Sequence, residues 1–524
     1  MSTPPDSTAS AGVRRSLVLA ASCLGVFMVL FDLTLTNIAV PHIMRGLGTG
    51  VSQAEWVVNA FELTLAMTLV VMGRIGDQHG RRKLFAVGLV VFMTGSLACA
   101  LAPGIAWLIG FRFVQGLGAA MMVPQTLSII SATYPPEKRA GALGAWSAMY
   151  GLSAAAGPIL SGVIVDAVSW RWIFVVNLPV AVVCALLVWR AVPESRDTKA
   201  ADSLDLPGVG LLSAALFCIT FAVIQGQQYG WTSATILGLF AAGAALLVCF
   251  LLVERRATAP LLDLGLLRDA NFSAGNTAAL LLAFVMLGVF FVMSLFLQVV
   301  LGYSAATTGA ILSPLSVALM LAAVLAGKFC AGISPRWLIA GGFVVIAAGL
   351  AVVAGHTPFM DPLSAMTRPA SLVVPFLVLG AGVGLAIAPL TTAVMATVPD
   401  EKAGQASGVL QTMRQLGAVL GVAVLGAVLQ NRAHADVTAG VKSLSYLSPA
   451  QKASVLEQVR AGGTGSHAAM ADHLSAAARL AEGIMHRMVE GWVAGAACTT
   501  LNVAIAVALV GAGAALFLQR PRPS

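Results

Sequence analysis

Four ionisable side chains lie inside long apolar runs of this chain: Asp32, Glu62, Arg112 and Arg414. A charge at that depth is costly, turns toward the protein interior and marks an ion or substrate pathway. Asp32 lies beyond the middle of the first run and is followed by Thr34, Thr36, Asn37 and Pro41, while Glu62 lies midway along the second. Arg112 opens RFVQGLGAA (Arg112 to Ala120), which also holds Gln115, and Arg414 belongs to QTMRQLG (Gln411 to Gly417). Low dielectric favours the neutral form of a carboxyl group, and a nearby guanidinium favours the charged form. An arginine that meets Asp32 or Glu62 in one conformation and leaves it in another makes proton binding follow conformation, which is what coupling requires. The alternative is a static buried pair that only neutralises itself. Arg414, flanked by Gln411 and Gln415, is either a contact for an anionic or zwitterionic substrate or a helix-packing residue, and Asn37 and Gln115 are further candidates for substrate contact or pairing.

Other chemistries lack their residues. No Gly-x-x-x-x-Gly-Lys-Ser/Thr occurs; the nearest approach, Gly327-Lys328, continues into Phe329, so no phosphate-cradling loop is available for ATP. A nucleophile elbow and an HExxH are also missing, so the expected class is a carrier and not an enzyme, with no bound cofactor or metal. The seven cysteines all fall in apolar runs, without CxxC or a histidine at ligand spacing, and suit small core positions.

The elements that hold those four charges at depth follow from composition. Of 524 residues, 58% are hydrophobic and 10% charged, and mean hydropathy is +0.90, where soluble domains carry about 25% charge. A helix needs roughly 20 apolar residues to cross a bilayer. Runs of that kind fall at 16–39, 53–73, 83–102, 105–131, 140–165 and 171–190, then 207–225 and 234–253, then 272–300, 305–327, 336–355, 371–396, 403–430 and 488–518. These fourteen predict an all-α polytopic membrane protein. A cytosolic tail is expected at 1–15, a six-helix unit at 16–190, a linker with two extra spans at 191–271, five further helices at 272–430, an outer helical loop at 431–487, the last span at 488–518 and a second tail at 519–524. Within the outer loop, Ser448-Pro449-Ala450-Gln451 has the form of a capped helix start, and a second helix is expected from about Ser466 into the last span.

Charge sets the orientation. With both termini cytoplasmic, the inner segments hold most of the Lys and Arg, while the short outer loops hold only Arg45, Arg171 and Arg368, as the positive-inside rule requires. The net charge of +8 is thereby explained by topology, and no nucleic-acid partner is implied. The densest inner cluster is GRIGDQHGRRK, Gly73 to Lys83, with Arg74, Arg81, Arg82 and Lys83 around a lone acid, Asp77. Gly73, Gly76 and Gly80 are expected to let the chain turn between two helix ends. In the fifth run, Ser153 to Gly162 (SAAAGPILSG) places small residues four apart around Gly157 and Pro158, a packing face with a bend.

Together these stretches resemble the major facilitator superfamily, and within it the fourteen-span drug:proton antiporter branch. Gly73 to Lys83 is similar to the superfamily's signature between spans two and three, Arg112 to Ala120 to its fourth-span motif, and Ser153 to Gly162 to the fifth-span motif of exporters. Branch-specific likeness comes from DLTLTNIAVPHI (Asp32 to Ile43), WRWIFVVNLP (Trp170 to Pro179) and LQVVLGYSAATTGAILSP (Leu297 to Pro314). Gln78 and Gly76 depart from the usual loop signature, and Ser153 and Ser161 replace glycines, which is expected to loosen the fifth helix slightly. The resemblance implies two six-helix bundles rocking about a central site. It assigns proton coupling to Asp32, Glu62 and Arg112, a gate network to Gly73, Asp77, Gly80, Arg81 and Arg82, and the antiporter hinge to Gly157, Pro158 and Gly162. The expected function is proton-coupled export of amphipathic drugs or antibiotics by a monomer in the cytoplasmic (inner) membrane. The alternative is a carrier of the same fold for one metabolite or solute.

Overall fold

The computed structural model describes residues 6–49, 51–196, 205–257, 260–329, 333–355, 369–443 and 476–518. The first half of the chain forms α1 (Asp6–Leu47), α2 (Val51–His79), α3 (Arg81–Ala100), α4 (Ile105–Thr133), α5 (Pro136–Ala167), the single turn α6 (Trp172–Val175) and α7 (Asn177–Ala191). Two intervening helices follow, α8 (Leu206–Tyr229) and α9 (Ala234–Glu254), then a short α10 (Leu264–Arg268). The second half forms α11 (Ala270–Leu295), α12 (Ala305–Phe329), α13 (Pro335–Val353), α14 (Pro369–Ala396), α15 (Ala403–Ser443) and α16 (Ala476–Leu516). Among the described residues there is no strand, as expected where backbone groups meet hydrocarbon and must be satisfied within helices.

Among the described residues, thirteen helical segments are long and apolar enough to cross a membrane. The fourteenth run expected from sequence, α5, is a continuous helix of 32 residues whose stretch from Ala140 is dominated by Gly, Ala and Ser. Ends are set by local chemistry. Asp205, Ser233 and Asp269 accept from Gly208 (3.0 Å), Ile236 (3.3 Å) and Phe272 (2.9 Å) N–H groups at the starts of α8, α9 and α11.

Three boundaries differ from the sequence expectation. Residues 6–15, expected as a tail, continue α1 toward the N-terminus. α15 runs unbroken through 430 to Ser443, and α16 starts at Ala476, ahead of 488, so the outer loop is built partly of extensions of the two membrane helices. Gly440 on α15 packs against the Trp492 ring on α16, joining those extensions. The capped start at Ser448 lies outside the described residues. The glycine-rich stretch is also more helical than expected: α2 continues through Gly73 and Gly76 to His79, and only Gly80 breaks it, at φ 110.

The halves meet along two antiparallel helix pairs. On one, Gly73 of α2 faces Gly404 of α15, and Leu69 and Val70 face Gly408. On the other, Gly144 and Gly151 of α5 lie against Ala323 and Ser316 of α12. Within the first half, α5 runs parallel to α1. Ser153 Oγ donates to Phe27 O (3.4 Å) and Ser161 Oγ to Leu35 O (3.0 Å), both at an offset of 126 residues. These serines were expected to loosen the packing. Instead each replaces the missing glycine with a bond to the neighbouring backbone. α8 sets Phe221 against Trp56 of α2 with the rings tilted (5.6 Å between centroids), while α9 keeps few buried residues, Ile236, Gly243, Phe250 and Glu254. Exposed Leu101, Trp189, Val510 and Phe517 suit an exterior facing lipid.

Candidate functional site

Asp32 is buried in α1, and its carboxylate is surrounded by donors from two other helices. Arg112 Nη1 of α4 donates to Oδ2 at 2.5 Å; Gln115 Nε2, one turn along, donates to Oδ1 at 2.9 Å; Asn177 Nδ2 of α7 donates to Oδ1 at 2.8 Å. Arg112 is itself held by Val57 O of α2 through Nε (2.8 Å) and by Gln115 Oε1 through Nη1 (2.8 Å). Its guanidinium lies 4.3 Å from the Phe61 ring centroid. The ion pair thus ties α1, α2, α4 and α7 together through one carboxylate.

Of the two carboxylates expected as partners of Arg112, Asp32 and Glu62, it is Asp32 that pairs with it. Glu62 is half-buried, makes no hydrogen bond or ion pair among the described residues, and feels Arg112 only at longer range. Its side chain leaves α2 one residue past Phe61, which occupies the place beside the guanidinium. Asn37 is exposed and donates to Leu33 O of its own helix (3.0 Å), so it takes no part in the cluster. Asn177 was missed as a site residue although it stands in the quoted stretch Trp170 to Pro179. A buried amide in an apolar run just before a proline was the available signal.

The second cluster closes the basic end of the bundle. Asp77 is fully buried: Oδ1 accepts from Arg81 Nη2 (2.7 Å), Arg81 Nε (3.0 Å) and Gly404 N (2.9 Å), and Oδ2 accepts from Gln405 N (2.9 Å). Asp77 therefore supplies from the first half what the N-terminus of α15 lacks, an anion on its free N–H groups. Arg81 completes the bridge by donating through Nη2 to Asp400 O (2.5 Å) and Glu401 O (3.0 Å). Ser128 and Ser407 hydroxyls meet across the same seam at 3.2 Å. Gly73 serves close approach here, since a Cβ on it would collide with the Gly404 carbonyl.

Arg82 departs from the expected role. It donates through Nη2 to Trp189 O (2.8 Å), and with Lys83 it offers its backbone N–H to the Glu194 carboxylate (both 3.1 Å). These contacts fasten the start of α3 to the end of α7 inside the first half. Two further bridges were not anticipated, one across the seam and one from the intervening segment to the second half. Arg139 of α5 pairs with Asp400 (3.1 Å), and Lys402 pairs with Asp263 (2.6 Å), whose own N–H donates to Gln405 Oε1 (3.1 Å). The Lys402 hydrogen bond holds the Asp263 carboxyl below its ordinary range. Lys402 and Asp263 read in the sequence as plain loop charges, and only folding brings residues 139 apart into contact.

Arg414 lies apart from both clusters, buried between α5, α14 and α15, with Gln411, Thr391, Trp146 and Tyr150 around it. Gly157 of the expected hinge abuts Thr34 of α1. The side chains at Pro158 and Gly162 fall outside the described residues, although the helix continues through both.

The family description Major Facilitator Superfamily matches residues 22–422. The chain is 35% identical over 415 residues to the multidrug resistance protein Stp of Mycobacterium tuberculosis, covering 79% of this chain and 75% of that protein. It is 33% identical over 508 residues to the tetracenomycin C resistance and export protein of Streptomyces glaucescens, covering 96% and 92%. Among solved structures, a bacterial homologue of the human lysosomal transporter Spinster, inward-facing and occupied, matches with a TM-score of 0.58 at 18% identity, covering 97% of this chain and 99% of that one. With that family match spanning most of the helices, and relatives matched along most of their own length, this multi-pass membrane chain belongs to the major facilitator superfamily.

Proposed function

We propose that this transporter exports amphipathic drugs or antibiotics in exchange for protons, by alternating access between its two halves. The observation that carries the reading is the Asp32 junction, one carboxylate bound by Arg112, Gln115 and Asn177 while the basic end is closed through Asp77. The kinship to proteins named for antibiotic resistance and export supports the direction and the substrate class. Taking the basic end as cytoplasmic, both termini lie inside and the membrane is the cytoplasmic one. The closed seam then faces the cytoplasm.

In the cycle, a proton from outside binds Asp32 Oδ2 and displaces Arg112, loosening α1 from α4 and α7. The rearranged first half releases its hold on the α15 N-terminus at Asp77, and the inner side opens. Loss of the proton to the cytoplasm restores the Arg112 contact, and drug binding from the inside accompanies the return. The proton gradient is the sole energy source, no cofactor takes part, and a monomer suffices. Purified protein in liposomes should move a lipophilic dye against its gradient only while a pH gradient is imposed. Equal accumulation after collapsing that gradient with a protonophore would refute the exchange.

A further inference from the structure

The second half of the chain buries a guanidinium with no acid beside it. Arg414 is 7% exposed. Its Nη1 donates to Gln411 Oε1 (3.1 Å) and its Nη2 to Thr391 Oγ1 (2.5 Å). The guanidinium lies 5.7 Å from the Trp146 ring and 5.6 Å from the Tyr150 ring. Both aromatics are themselves positioned: Trp146 Nε1 donates to Thr126 Oγ1 (2.9 Å), and the Tyr150 hydroxyl accepts from Gln411 Nε2 (3.5 Å). Every one of these partners is neutral.

No carboxylate pairs with Arg414 among the described residues, and α11, α12 and α14 contain no Asp or Glu at all. Glu62 comes level with it, because α2 and α15 run antiparallel from the Gly73–Gly404 contact and each covers about 16 Å from there to Glu62 or Arg414 at 1.5 Å per residue. Even so, Glu62 stays beyond ion-pair reach. A buried charge without a counter-charge is unfavourable, and the site has the parts of a receptor: a planar fork of donors, two aromatic walls, and a place between α4 and α5 of one half and α14 and α15 of the other. A guanidinium recognises carboxylates and other oxyanions through paired N–H donors, where a lysine offers a point charge.

We propose that Arg414, walled by Trp146 and Tyr150, anchors the anionic group of an aromatic substrate, so that the exported compounds include amphiphiles bearing a carboxylate or phenolate. This deepens the export reading and rests on it for the word substrate. Bound anion supplies the charge that the second half lacks, and the aromatic walls stack on the ring that carries it.

The test uses two xanthene dyes of opposite charge, anionic fluorescein and cationic rhodamine 123, titrated against purified protein by fluorescence anisotropy. Arg414→Gln should weaken fluorescein binding about tenfold or more, with rhodamine 123 unchanged within about twofold. Arg414→Lys should fall between, since it keeps the charge and loses the fork. Quenching of Trp146 by fluorescein should vanish in Arg414→Gln. Thermal unfolding reports whether each variant is folded, and Arg414→Lys carries the test if the glutamine variant is not. Unchanged fluorescein affinity, equal loss of both dyes, or a wild-type protein that binds only rhodamine 123 would overturn the proposal. Fluorescein that binds through Arg414 yet is not moved under a pH gradient would uphold the anchor and refute export.

Discussion

Asp32 and Arg414 bury charge in opposite ways. In the first half, a carboxylate meets a guanidinium and two amides from helices distant in sequence, and the charges cancel inside the protein. In the second, a guanidinium meets only neutral groups. The first arrangement is a complete internal circuit, which in the proposed exchange a proton breaks. The second is an incomplete one that a ligand can complete. The Asp32 cluster lies wholly within the first half, whereas Arg414 sits where α5 of the first half meets α14 and α15 of the second.

The contrast can be broken most sharply at Asp32. Asp32→Asn keeps the shape and leaves Arg112 without its counter-charge, a loss of about 3–5 kcal/mol when one partner of a buried pair is removed. Gradient-driven efflux should fall by a factor on the order of one hundred, measured in liposomes alongside a thermal unfolding check. Retained coupling would move the proton elsewhere, with Glu62 the next carboxylate in line. Asp77→Asn comes second. Removing the charge at the α15 N-terminus and the Arg81 pair should cost the closed state about 1–2 kcal/mol, roughly tenfold in its population. Alkylation of a cysteine placed at Ser407 should accelerate accordingly, while membrane insertion is unaltered; a wild-type alkylation rate would make the Asp77 contact incidental.

Ser161→Ala removes one bond to Leu35 O and should destabilise the α1–α5 pair by about 1 kcal/mol, lowering the unfolding midpoint without changing which dye is bound. A change in dye preference instead would place the fifth-helix motif in the substrate path. The smallest effect belongs to Asp263. Its carboxyl is held below the ordinary range, so the Lys402 bridge is fully present above an aspartate's usual pKa of about 4 and fades as the pH falls below it. Being partly exposed, the pair contributes no more than about 1 kcal/mol. Asp263→Asn should therefore leave the pH dependence of gate closure between 5 and 7 as it was, measured by the same Ser407 cysteine. A shift in that window would make the bridge part of the proton circuit.

Helix number, the burial of Asp32 and Arg112, and the Asp77–Arg81 pair were legible in the sequence because each has a local signature: apolar length, a charge at depth, an acid among bases. What was not legible depended on contacts between distant residues. Nothing local says that Asp77 would accept from Gly404 and Gln405, or that Ser153 and Ser161 would bond to α1 carbonyls. The partners of Arg82 and Glu62 were hidden for the same reason. A basic residue beside the gate looks like part of it, and an acid one turn from Val57 looks as able to reach Arg112 as Asp32. Helix ends were misjudged wherever polar residues continued a helix beyond the apolar run, as at His79 and Ser443.

α5 carries two unlike faces. Toward α1 it is stapled at a constant offset by hydroxyl-to-carbonyl bonds; toward α12 it presents bare glycine against backbone, with Gly144 and Gly151 in van der Waals contact. A bonded face resists sliding because it must break bonds in step, and a smooth one slips at small cost. If the halves move as proposed, α1 and α5 are expected to travel as one mechanical part, with the displacement taken up along the α5–α12 seam.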